Sequence, residues 1–191
     1  SFADARQFIL DNTPHGEDKY ILWIDADDIL RGAENLPKLL EESIKLKHAA
    51  VFFDYWYMVD LDEKGEIREI VIKHKRERLI RNDGTFKWAS RLHEVLVEQR
   101  TENVIKVPRD ECVVIHLSNQ ERINKNLARN IRILNKQAAD ELHRDPRTLI
   151  YLAKAYFDQA KVGKDGKEKK INYDLAFQLF NEYLNGAGEP G

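Results

Sequence analysis

The strongest constraint on the fold lies in residues 20–29, YILWIDADDI, where four consecutive apolar residues, Ile21, Leu22, Trp23 and Ile24, run directly into Asp25, Asp27 and Asp28. A short unbroken apolar run reads as a strand buried on both faces, and in open α/β sheets ligands bind beyond the carboxyl ends of such strands. If the strand continues, Asp25 and Asp27 point to the same side. Carboxylates that close repel one another unless a proton or a divalent cation intervenes, and hard oxygen donors favour Mg2+ or Mn2+. The run therefore predicts an α/β fold with a cation site at a strand end, suited to a metal-bound phosphate. The competing reading is structural, with the three aspartates ending a strand and capping a helix. An EF-hand loop counted from Asp25 is excluded, because it requires glycine where Leu30 stands and glutamate where Leu36 stands.

A chain of 191 residues is long enough for one good core with a small appendage. With 31 basic and 33 acidic residues its formal charge is -2, which argues against a general nucleic-acid-binding surface. Phosphate recognition must then be local. Cys112 is the only cysteine, so no internal disulfide forms. Without a signal peptide or an apolar stretch of about 18 residues, the segment is expected to be cytoplasmic and to span no membrane.

Helical spacing of Phe2, Ala5, Phe8 and Ile9 predicts a first helix that Ser1 could cap. A helix that precedes its first strand is an odd start for a doubly wound sheet, and an upstream portion is expected. A second helix is expected to start at Asn35-Leu36-Pro37 and to carry Leu36, Leu39, Leu40 and Ile44 on one face. A strand over 49–59 follows, then a turn at 62–65 and a strand over 69–73, which makes a hairpin and so a mixed sheet. Short strands are expected over 78–81, 91–97 and 113–116. Beyond Ser118, the steps Ile123, Leu127, Ile131, Leu134, Ala138 and Leu142 predict a helix over about 120–143. Asp145-Pro146 starts another over 146–161, and a last helix is expected over 172–185. The division that follows is a domain over 1–118 and a helical extension over 119–191.

Three further groups of residues carry candidate chemistry. In Arg91-Leu92-His93-Glu94, neighbouring strand residues face opposite ways, so only one of His93 and Glu94 faces a pocket unless the segment turns. Glu94 suits a general base that takes a proton from an acceptor hydroxyl or amide. The alternative is a surface glutamate beside a packed histidine. His116 ends a predicted strand and could share a cation with the carboxylate pair, although a lone histidine there is more often structural. Arg122, Lys125, Arg129, Asn130 and Arg132 form a basic helical stretch that could neutralise phosphates or be a solvated face.

The last region resembles one tetratricopeptide repeat. Leu149, Leu152, Ala153 and Tyr156, then Ala176 and Phe180, follow its W-x2-L-G-x2-Y and A-x3-F positions, with residues 162–170 inserted between the two helices. The whole ordered set resembles a family-2 glycosyltransferase with the GT-A fold, in its tetratricopeptide-bearing bacterial branch. Residues 2–7, FADARQ, are similar to that branch's F-S-x-A-R-N, and residues 23–28, WIDADD, to its W-I-D-A-D-E. Arg81-Asn82-Asp83-Gly84 through Arg91-Leu92-His93-Glu94 resemble its F-R-N-x-G to I-H-E stretch, Ile115-His116-Leu117-Ser118 its H-x-G-Y, and Arg129-Asn130 its R-N pair.

The resemblance implies a truncated GT-A (Rossmann-like) mixed sheet with flanking helices, followed by a tetratricopeptide-like hairpin. The implied activity is metal-dependent, inverting transfer of a sugar from a nucleoside diphosphate sugar to a saccharide, lipid or protein acceptor. By that resemblance Asp27, His116 and Asp25 hold Mn2+ or Mg2+. Arg6, Asp25, Arg91 and His93 bind the nucleotide sugar, and Glu94 is the base. Gln7 and Asp28 stand where the branch has Asn and Glu, and Leu117-Ser118 replace its Gly-Tyr. The family's N-terminal nucleotide-binding portion is not in this chain, which is expected to be a fragment of the enzyme. Two rival functions remain. A haloacid-dehalogenase-like phosphatase also places D-x-D after a buried strand, but it expects Thr or Val where Ile29 stands. A non-catalytic tetratricopeptide module would bind a peptide or partner.

Overall fold

A computed structural model describes residues 1–99, 105–117, 120–140 and 145–186, with 120–124 described by backbone only. Ser118, Leu142 and the expected helix end at 143 lie outside the described residues, as do the side chains of Arg122 and Ile123. The chain is mixed α/β. It comprises α1 (Phe2–Asp11), β1 (Tyr20–Leu22), β2 (Asp28–Arg31), a 3-10 turn (Ala33–Asn35), α2 (Leu36–Leu46), β3 (Ala50–Leu61) and β4 (Ile67–Arg81). Then follow β5 (Phe86–Ala89), β6 (Val95–Glu98), β7 (Lys106–His116), α3 (Gln120–Asp140), α4 (Pro146–Val162) and α5 (Gly166–Gly186). These form two compact units, one of Asp4–Ala89 with Val95–Ser118, the other of Ser1–Ala3, Ser90–Glu94 and Asn119–Gly191.

The first unit is built on a five-stranded mixed sheet in the order β1-β4-β3-β7-β2, with β5 and β6 as a separate antiparallel pair. Only β3 and β7 run parallel. The other neighbours are antiparallel, as the 62–65 turn predicts for the β3–β4 hairpin. One face is closed by α2, whose Leu39 packs with Val51, Phe53, Tyr55, Leu79, Cys112 and Val114. Pro37 lies in the first turn of α2, where a missing N–H costs nothing. Of the expected apolar face, Leu36 and Leu39 meet the core, whereas Leu40 and Ile44 are exposed.

Several elements depart from the sequence reading. The acidic run is not one continuous buried strand. β1 has three half-buried residues and pairs only with β4, while β2 pairs with β7 at the opposite edge of the sheet. Residues 23–27 must carry the chain between edges, so Asp25 and Asp27 stand on a connection closed by the Asp28 N–H donating to the Asp25 carbonyl (3.0 Å). The strands expected at 69–73 and 78–81 merge into the 15-residue β4. The strand expected over 91–97 is confined to β6, because Ser90 and His93 take left-handed φ of 69° and 57°. In α1 it is Ala3 and Leu10 that are buried, while Phe8 and Ile9 face out.

In the second unit α4 packs against both α3 and α5. Its core joins Leu92, Leu134, Leu149, Leu152, Ala153 and Leu179. Asp145 caps α4 as expected, accepting from the Thr148 N–H at 3.2 Å. α5 begins at Gly166, six residues before the expected start, because only 163–165 interrupt the helices. No helix among the described residues is long and apolar enough to cross a membrane.

Candidate functional site

The site grows from the first residue of β2. Asp28 pairs with His116 across the β2–β7 ladder, and its side chain lies on the same face as Leu30, which reaches the core. The Asp28 carboxylate has no solvent exposure. Its Oδ1 lies 3.0 Å from His116 Nδ1, and its Oδ2 accepts the Asp25 N–H (3.2 Å) and faces Arg78 Nη2 at 3.4 Å. One ligand atom each from Asp27, Asp28 and His116 falls within 4.8 Å of the other two. The trio combines two carboxylates and an imidazole, a donor set that suits Mn2+ better than the all-oxygen preference of Mg2+.

Arg78 supplies the counter-charge from an unusual position. Val51 pairs with Leu79 and the next residue, Phe52, pairs with Glu77, so Arg78 is the extra residue of a β-bulge. A bulge re-aims its side chain, here into the core instead of outward. The guanidinium is fully buried between the rings of Trp23 (4.2 Å) and Tyr55 (4.3 Å). Trp23 gathers two more guanidinium groups, Arg6 at 4.7 Å and Arg76 at 5.1 Å, and meets Trp88 edge-on at 4.9 Å. Arg6 also pairs with Asp25. It is held there because α1 is tied down at two points. The Gln7 amide oxygen accepts the Trp88 N–H (2.8 Å), and the Asn82 amide donates to the carbonyls of Leu10, Thr13 and Pro14.

Proton affinities follow this geometry. The hydrogen bond to Asp28 raises the His116 pKa against the opposing effect of burial, and Asp27 and Asp25 add to the rise. Burial lowers that of Arg78, and Asp28 opposes the fall. Tyr55 is pushed up to about 12, first by burial and then by Asp28. His74 lies beside Tyr55 and Tyr57, and burial with Arg76 and Arg78 lowers its pKa. The His116 ring stacks on Tyr57, with centroids 5.8 Å apart and planes 11° from parallel.

No family model and no curated protein matches this chain. Of the residues singled out in the sequence, Arg6 and Asp25 form one pair and Asp27 and His116 join Asp28 in a cluster. Arg91, His93 and Glu94 stand in the β5–β6 loop, within the helical unit. There the Arg91 side chain pairs with Asp140, and the Arg91 N–H donates to the Gln137 side-chain oxygen (2.8 Å). His93 stacks on Tyr151 with centroids 3.9 Å apart, and its carbonyl accepts from Arg147 (3.2 Å). Glu94 is half-buried at the end of this loop. Sequence reasoning missed Arg78, Arg76 and the tyrosines. Residues 73–78, KHKRER, span the gap between the strands expected over 69–73 and 78–81, and nothing in a period-two pattern marks a bulge there.

Proposed function

We propose that the chain is part of a metal-dependent, inverting glycosyltransferase acting on a nucleoside diphosphate sugar. In this reading the sheet unit is a GT-A core, and α4 and α5 form a tetratricopeptide-like hairpin. The observation that carries it is the grouping of Asp27, Asp28 and His116 beside the guanidinium groups of Arg6, Arg76 and Arg78. A cation site bordered by fixed positive charge suits a ligand that is itself a metal-bound polyanion, such as a diphosphate. Arg6 is half-buried against Trp23 and Trp88 and lies nearest in kind to a nucleotide-binding group, with Asp25 orienting it. Glu94 is assigned as the base that takes the acceptor's proton. Bound Mn2+ or Mg2+ would supply Lewis-acid stabilisation of the charge developing on the leaving diphosphate. The acceptor is a saccharide, lipid or protein group, and the assigned setting is the cytoplasm.

Titration calorimetry with Mn2+ and a panel of nucleoside diphosphates tests the proposal on the full-length protein. Metal-dependent binding that disappears in Asp27→Ala is expected. Glu94→Gln should keep that binding while slowing transfer by a factor on the order of 10². Binding indifferent to metal, or a phosphoryl group trapped on Asp25, would overturn the assignment.

A further inference from the structure

Asp28 sits among the candidate metal ligands, yet its oxygens are already committed. Oδ1 meets His116 Nδ1 at 3.0 Å, while Oδ2 accepts the Asp25 N–H and faces the Arg78 guanidinium. An ionised carboxylate offers about four lone-pair directions: two meet His116 Nδ1 and the Asp25 N–H, and a third faces the Arg78 guanidinium as an ion pair at 3.4 Å without a hydrogen bond. The side chain has no exposed surface through which a hydrated ion could reach the fourth. Asp27, by contrast, is half-buried on the connection between β1 and β2.

The partners of Asp28 are themselves rigid. Arg78 is clamped between Trp23 and Tyr55, and β2–β7 pairing sets the Asp28 and His116 backbones opposite one another. The Tyr57 ring lies nearly parallel to the imidazole, with centroids 5.8 Å apart. An ionised carboxylate at Nδ1 requires the proton on that nitrogen, which leaves the lone pair on Nε2. Metal-binding histidines characteristically donate their second ring N–H to a carboxylate, which fixes tautomer and orientation and raises ligand basicity.

We infer that Asp28 is a positioning residue and not a metal ligand: with Arg78 behind it, Asp28 holds His116 as the Nδ1–H tautomer, so that Nε2 takes a divalent cation together with Asp27. The inference rests on the glycosyltransferase reading for the role of the cation, but the tautomer is a property of the metal-free protein.

Two-bond nitrogen–proton NMR of metal-free protein, at a pH where the imidazole is neutral, should show His116 as the Nδ1–H tautomer. The paired variant Asp28→Leu with Arg78→Met removes both buried charges and should let Nε2–H predominate. Calorimetry should then find Mn2+ affinity reduced roughly 10- to 100-fold in Asp28→Asn, against complete loss in Asp27→Ala. An Nε2–H tautomer in metal-free wild type that nevertheless binds Mn2+ overturns the inference alone. So does loss of Mn2+ binding in Asp28→Asn as complete as in Asp27→Ala, which would make Asp28 a direct ligand. Wild type that binds no Mn2+ overturns the inference and the glycosyltransferase reading together.

Discussion

Arg78 shows how one residue can be costly and still be kept. A guanidinium with no solvent exposure loses its hydration, and its Nε and Nη2 find no hydrogen-bond acceptor in return. Compensation comes from the faces of Trp23 and Tyr55 and from the equally buried Asp28 carboxylate. Removing either charge alone strands the other. Arg78→Met or Asp28→Asn should therefore each destabilise by about 3 to 5 kcal/mol. The double variant should cost less than the sum, with a coupling on the order of 2 kcal/mol from a double-mutant cycle in urea. Additive losses would mean that the two side chains act separately despite their 3.4 Å approach.

At the scale of elements, the connection from β2 into α2 depends on a glycine. Gly32 takes a φ of 78°, and a Cβ placed there would lie 2.0 Å from the backbone oxygen of Glu111. Neither strand can yield, since β2 is bonded to β7 along its length. Gly32→Ala should lower stability by about 3 kcal/mol, combining left-handed strain with overpacking. It should shift the denaturation midpoint without changing the slope. Elements with strong local signals were legible in the sequence: Pro37 and Asp145 mark helix starts, and residues 62–65 mark the β3–β4 hairpin. What escaped depends on pairing across the sheet. Periodicity in residues 20–24 reports that the run is apolar, but not that β1 lies at an edge and that residues 23–27 must leave it. The same holds for the site. Asp27 and His116 stand out by type and position, whereas Arg78 becomes a site residue only through a bulge opposite Val51 and Phe52. In α1 the spacing of Phe8 and Ile9 gave the helix but the wrong buried face, because Asn82 and Trp88 bind its other side.

For the molecule as a whole, the acidic cluster is not left as bare repulsion. Asp25 faces Arg6, and Asp28 faces Arg78 and His116, so each of these two carboxylates has a cationic protein partner. A cation would then add stability to a fold that already stands, as linkage requires of any ligand that binds only the native state. Mn2+ at about 100 times its dissociation constant should contribute about 2.7 kcal/mol. At about 2 to 4 °C per kcal/mol for a chain of this size, the melting temperature should rise by about 5 to 10 °C. Trp23, Trp56 and Trp88 are the chain's three tryptophans and all belong to the sheet unit, so their fluorescence reports on the unit that carries the site. The dependence on pH separates the two states of that site. In metal-free protein the raised His116 pKa means that its pairing with Asp28 contributes fully below the ordinary value of 6.5 and fades as pH rises through the folded value. With Mn2+ present the trend at this residue reverses, because a protonated imidazole has no lone pair to offer and protons compete with the metal. The Mn2+-induced rise in melting temperature should therefore grow with pH through the neutral range, and Asp27→Ala should abolish it at every pH. A rise independent of pH, or one that survives Asp27→Ala, would place the bound ion away from His116.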